Sequence, residues 1–154
     1  MLRALLIGVI AGQRAMTPLA LAAGAARQGG LSDGALARLL ANPVVAAGAA
    51  TLAAAEMAGD KMKTAPDRTV AVGLLARGAT SAIAGAAFAP ADRRREGALL
   101  AMAVALTTSY GGLWLRKRAM RRFGQTSTGF VEDTLLVTGG LAVAHGMRPT
   151  APNL

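Results

Sequence analysis

The stretch Ala4–Ala26, ALLIGVIAGQRAMTPLALAAGAA, decides how this chain is read. It is apolar apart from Gln13-Arg14 and Thr17-Pro18. A second run, Thr69–Ala89, TVAVGLLARGATSAIAGAAFA, encloses Arg77 in the same way. A charged side chain at the centre of a bilayer costs at least ~2.5–3.5 kcal/mol, so a membrane helix that keeps an arginine pairs it or uses it. Both runs predict a membrane protein with a polar interior.

Composition points the same way. The 154 residues are 53% hydrophobic, 16% charged and 3% aromatic, and Ala and Gly stand where a soluble domain carries charge. Small residues suit helices that approach closely in lipid. The net charge of +9 admits a nucleic-acid footprint or basic residues flanking membrane helices. Arg93-Arg94-Arg95 and Arg116-Lys117-Arg118 lie at the ends of apolar runs, with almost no aromatic residues for base stacking. The membrane reading therefore leads, and no nucleic-acid partner is expected. Without cysteine, disulfides, thiolate metal sites and cysteine nucleophiles are excluded.

Five apolar stretches follow in series: Leu2–Ala25, Pro43–Gly59, Thr69–Ala89, Gly97–Leu115 and Gly129–Met147. Each is near the length of a membrane span. Met1-Leu2-Arg3 and the run after it resemble a signal peptide, but Gln13-Arg14 and Thr17-Pro18 interrupt the run, so the segment is read as a retained helix. Between the first two stretches, Leu31–Asn42 is too short to span. Ser32 or Asp33 would cap it, and Asn42-Pro43 would end it and start the next helix. The predicted fold is an all-α polytopic membrane helical bundle of about five transmembrane helices plus one short interfacial or re-entrant helix. It forms a single membrane domain over residues 1–147, followed by a frayed tail at 148–154.

Five spans would place the termini on opposite sides. Arg3 would then share a side with Lys61, Lys63, Arg68, Arg116, Lys117, Arg118, Arg121 and Arg122. Arg27, Arg38, Arg93, Arg94, Arg95 and Arg148 would lie on the other. Nine against six favours a cytoplasmic N-terminus in a cell inner membrane.

Polar residues inside or at the ends of these runs are the candidate site. Arg14 and Arg77 are each followed three residues later by a hydroxyl, Thr17 and Thr80, on the same helix face. This faint repeat is of the kind from which transporters are built. Glu56 and Asp60 stand one helical turn apart and could bind a cation or pass a proton, or equally pair with Arg14 or Arg77; the alternative is a helix end with ordinary interfacial charges, which Asp60-Lys61 fits well. Glu132-Asp133 would open the fifth helix, where the dipole favours acid, or pair with an intramembrane arginine. Pairing of Arg14 or Arg77 with Glu56 or Glu132 is the leading expectation. Gly8, Gly12, Gly111-Gly112 and Gly139-Gly140 would allow close helix contact. Tyr110 and Trp114 suit a membrane interface. His145 stands alone, so no metal cluster is read, and no motif of an enzyme or cofactor site is present.

Gly12-Gln13-Arg14-Ala15-Met16-Thr17-Pro18 fits a Gly-x-Arg-Ala-x-x-Pro pattern. Glu56 to Asp60-Lys61 fits Glu-x-x-x-Asp-Lys, and Thr126-Ser127 precedes Glu132-Asp133. In these motifs and their order over nearly the whole chain, the sequence resembles a widespread bacterial membrane-protein family, domain of unknown function 4126. In that family the loop before Glu-Asp is longer and contains proline, whereas here Ser127 is followed by Thr128-Gly129-Phe130. The Glu56 element is also similar to the Glu-x-Gly-Asp-Lys/Arg-Thr signature of a cation-exchanger family, with one residue more of spacing. The resemblance implies an integral membrane protein and supplies no activity. The expected function is a small transporter or channel for an ion or solute, with a homo-oligomer as its candidate assembly, using Arg14, Thr17, Glu56, Asp60, Arg77, Thr80, Glu132 and Asp133. The alternative is a non-transporting membrane scaffold in which the same charges are structural pairs.

Overall fold

In a computed structural model, residues 1–59 and 71–145 are described. Among them the chain is helical without strands. The helices are α1 (Leu2–Gln13), α2 (Thr17–Arg27), α3 (Ala35–Ala41), α4 (Pro43–Gly59), α5 (Ala71–Phe88), α6 (Arg94–Phe123) and α7 (Gln125–His145), with a short 3-10 turn at Ala91–Arg93. Asp60, the 61–68 connector and the tail lie outside the described residues.

The first predicted span is broken. Arg14 takes an extended conformation (φ −139°, ψ 121°), and a new helix starts at Thr17 with Pro18 in its first turn. In a continuous helix the Pro18 ring would meet the carbonyl of residue 14, and residue 18 has no N–H to give it. After the break the chain turns back. Arg3 at the start of α1 donates to the Gly30 carbonyl just beyond α2 (3.2 Å), so α2 ends where α1 begins. The pair is a hairpin open toward one end of the bundle, with its tip at Arg14–Met16.

Helix directions follow from the glycine contacts. Gly8 lies against Ala101 and Val104, and Gly12 against Ala105 and Thr108, so α1 and α6 run parallel. Gly85 faces Gly97 and Ala101 while Gly97 faces Gly85 and Ala89, so α5 runs antiparallel to α6. A Cβ on Gly8 would come within 2.7 Å of the Ala101 carbonyl oxygen, and one on Gly97 within 2.6 Å of the Gly85 carbonyl oxygen. Real Cβ atoms do not approach so closely, so backbone contact here depends on glycine. Gly112 against Gln13 and Gly140 against Leu21 bear out the expectation for those positions; Gly111 and Gly139 face open space. The apolar core, with Ile7, Ile10, Leu21, Leu40, Phe88 and Val143, fills the end nearest Arg3.

Among the described residues two helices are long and apolar enough to cross a membrane, α5 and the 91–122 segment that holds all but the last residue of α6. The bent α3–α4 pair, with 69° between its axes, makes a third if it counts as one span. Five such helices, as the sequence predicts, are not shown. Large apolar side chains point outward, among them Val72, Leu75, Leu99 and Leu135. An exterior of that kind fits a lipid-facing surface better than a wet one.

Three further expectations change. The short helix starts at Ala35, after Gly34 (φ +152°), and neither Ser32 nor Asp33 caps it by side chain. Their carbonyls instead accept from Arg94. Asn42 does start α4, its Oδ1 accepting from the Val44 amide (2.9 Å). Much of the predicted 116–128 connector is helix: α6 continues to Phe123, and Gly124 (φ +81°) ends it before α7 begins. Finally, Arg3 donates to the carbonyls of Val143 (3.2 Å) and Ala144 (2.9 Å). The start of α1 and the end of α7 therefore share one end of the bundle. Among the described residues Arg3 stands with Arg27, Arg38, Arg93, Arg94 and Arg95, six against Arg116, Lys117, Arg118, Arg121 and Arg122, so the described charges do not repeat the excess expected on the side of the N-terminus.

Candidate functional site

Arg3 fixes the register of the bundle. Its guanidinium lies 4.5 Å from the centre of the Phe88 ring and reaches the Ala144 carbonyl. Arg14 is eleven residues further along α1, Arg77 eleven before Phe88 on α5, and Asp133 eleven before Ala144 on α7. Eleven helical residues span about 16 Å, so the three charged groups share one level, at the tip of the hairpin.

At that level Arg14 is 1% exposed and Asp133 8%. Arg14 Nε and Nη2 both donate to Asp133 Oδ1, at 3.1 and 2.6 Å. The partner expected from the sequence was Glu56 or Glu132; the structure gives Asp133. Glu132, one residue earlier on α7, turns toward α6 and pairs with Arg116 (3.3 Å). Consecutive helical residues point about 100° apart, so the two acids serve different helices. Nor do they open their helix: α7 begins at Gln125, and the first-turn dipole explanation does not apply.

Glu56 holds the hairpin tip from outside. It reaches across from α4, and its two oxygens accept from the amides of Ala15 (2.7 Å) and Met16 (2.8 Å). The N-terminus of α2 has no cap from its own side chains. A carboxylate there meets unsatisfied N–H groups and the positive end of the helix dipole. Thr17 is 3% exposed, and its hydroxyl has no hydrogen-bond partner among the described residues.

Arg77 is buried at 5% exposure inside unbroken α5. The sequence repeat therefore joins unlike backbones, a helix break at Arg14 and a continuous helix at Arg77. Thr80 gives its hydroxyl to the carbonyls of Ala76 (2.8 Å) and Arg77 (3.4 Å), which satisfies it locally. The structure thus brings together Arg14, Glu56, Asp133 and Thr17, with Arg77 at the same level. Glu132 sits one face away, and Asp60 lies outside the described residues.

Beside the tip, α6 and α7, with Gln13 of α1, border a half-open cavity of about 650 Å³. Leu115, Ala119, Val131, Leu135 and Leu136 line it, with Gln13, Arg116 and Glu132 at its polar edge. Gln13 is fixed there by donating to the Thr108 carbonyl (3.2 Å). Sequence reading missed Arg116 because it placed that residue in a connector. It missed Arg3 because no motif marks a terminal arginine that caps carbonyls. His145 is exposed and bonded to the Leu141 carbonyl, and no group of three metal-ligating side chains occurs among the described residues.

No family model, curated protein or solved structure matches this chain.

Proposed function

We propose that this protein is a small multi-pass membrane transporter or channel for an ion or small solute, with its site at the tip of the α1–α2 hairpin. In this reading α4, α5, α6 and α7 cross the bilayer, and the hairpin enters and leaves from one side. The motif resemblance supports membership of the domain of unknown function 4126 family and a bacterial inner membrane.

One observation carries the proposal: Glu56 occupies the N-terminus of a broken helix beside the buried Arg14–Asp133 pair. Half-helix N-termini are ready-made anion sites, and transporters place substrate sites at such breaks. Buried ionisable groups in membrane helices mark ion and proton paths. Engagement of Glu56 by a cation weakens its hold on the Ala15 and Met16 amides. The tip then has two charge states that a solute can select between.

The test is melting of the detergent-solubilised protein against metal cations, small anions and carboxylates across pH. A ligand of the native state at a hundred times its Kd adds about 2.7 kcal/mol. A saturable shift, lost in Glu56→Gln or Arg77→Gln while the helical signal is retained, is expected. An unresponsive wild type, or an unchanged response in both variants, would refute the reading.

A second reading has its own observation. The three described carboxylates near the tip all have protein partners: Glu56 on two amides, Asp133 on Arg14 and Glu132 on Arg116. In a scaffold these contacts fix helix register and nothing more. That reading predicts that exchanging Arg14 and Asp133 restores folding and that no solute binds.

A further inference from the structure

The cavity between the far halves of α6 and α7 has a different character from the hairpin tip. Its walls are apolar and its edge is basic. We infer that it holds one acyl chain of an anionic phospholipid from the surrounding bilayer, with the headgroup against the basic end of α6. The inference does not depend on the transport reading.

Three observations converge on it. The volume, about 650 Å³, lies in the range that encloses a small-molecule ligand. Leu115, Ala119, Val131, Leu135 and Leu136 offer a chain much apolar surface to contact, and the polar Gln13, Arg116, Ser127, Thr128 and Glu132 complete the lining. Immediately along α6 come Arg116, Lys117, Arg118, Arg121 and Arg122, all but Arg116 exposed. Glu132, the acid in the lining, is paired with Arg116, and the headgroup contact is assigned to the exposed Arg118 and Arg121. A basic cluster directly after an apolar helix attracts anionic lipid, by about fivefold in affinity per charge. The Arg118 guanidinium itself lies 5.9 Å from the ring centre of the exposed Trp114. A chain in the cavity thus places its phosphate where the positive charge is concentrated.

The experiment uses the full chain in mild detergent, titrated with phosphatidylglycerol or with phosphatidylcholine of the same chains. Bound lipid is counted by native mass spectrometry, and melting is followed in parallel. One phosphatidylglycerol per chain should be retained, at least tenfold more tightly than phosphatidylcholine. Ala119→Trp, which fills the cavity, should abolish retention. The double variant Arg118→Gln/Arg121→Gln alters only exposed side chains and so tests the headgroup contact even if the cavity variant misfolds. It should bind roughly 25-fold more weakly, at fivefold per charge. Equal retention of the two lipids would overturn the proposal, as would unchanged binding in a folded Ala119→Trp or in the double variant. So would a lipid-free dimer that cross-links through Val131 or Leu135, which would give the cavity to a second copy of the chain.

Discussion

Removing Asp133 should destabilise this protein more than almost any other single change. Its carboxylate neutralises a guanidinium that is 1% exposed and lies at one level with a second buried arginine. Breaking one side of a buried ion pair costs about 3–5 kcal/mol, because the remaining charge stays desolvated. For a chain of this size each kcal/mol moves the melting temperature by about 2–4 °C, so Asp133→Leu should lower it by roughly 6–20 °C. Arg14→Met should cost a similar amount. The double variant should recover most of the loss, since replacing a buried pair by apolar groups of similar volume is often neutral or stabilising. Far-ultraviolet circular dichroism in detergent measures this directly in an all-helical chain, and the cycle yields a coupling energy. A single-variant loss below ~1 kcal/mol would refute the argument. So would costs that simply add in the double variant, which would mean that the two side chains do not stabilise each other.

Other perturbations test neighbouring claims. Glu56→Ala strands two amides that now donate to a carboxylate, at about 1.5–3 kcal/mol per charge-assisted bond. Glu56→Gln keeps one acceptor oxygen and should cost about half as much, which melting curves would separate. Gly85→Ala drives a methyl into Ala101 and the Gly97 carbonyl and should cost about 1–3 kcal/mol by overpacking. Gly139→Ala, which meets nothing within 4 Å, should be neutral or gain up to ~1 kcal/mol of helix propensity. Comparable losses at both glycines would count against the α5–α6 contact. The exposed Arg93–Glu96 pair should prove dispensable, with Arg93→Ala leaving the melting temperature unchanged at any salt concentration.

Much of the candidate site was legible because burial of charge is visible in composition. Arg14 and Arg77 stood out from apolar runs, and both are buried. Glu56 and Asp133 were among the residues singled out, and both contact the hairpin tip. The wrong expectations share a cause. A strand of alanines and glycines has weak helical phase, so nothing in Glu132-Asp133 tells which acid faces α1. The basic run after Leu115 read as a connector because charge marks membrane edges, whereas arginine and lysine are also good helix formers and α6 continues through them. Pro18 marks an interruption of the first run in the sequence, but nothing local gives the direction of the chain after it.

The residue list alone settled that this chain is helical, and it pointed to close contacts through small residues and to charge inside apolar runs. Those follow from local propensity and from the cost of desolvating charge, which act residue by residue. Tertiary structure decided the rest. The return of α2 beside α1 follows from Arg3 tying Gly30, Val143 and Ala144 to one end. The assignment of Asp133 to Arg14 and of Glu56 to the α2 amides follows from which faces meet across helices distant in sequence. Pairings over forty residues or more depend on the packed register, which glycine contacts and the carbonyl contacts of Arg3 support in this chain.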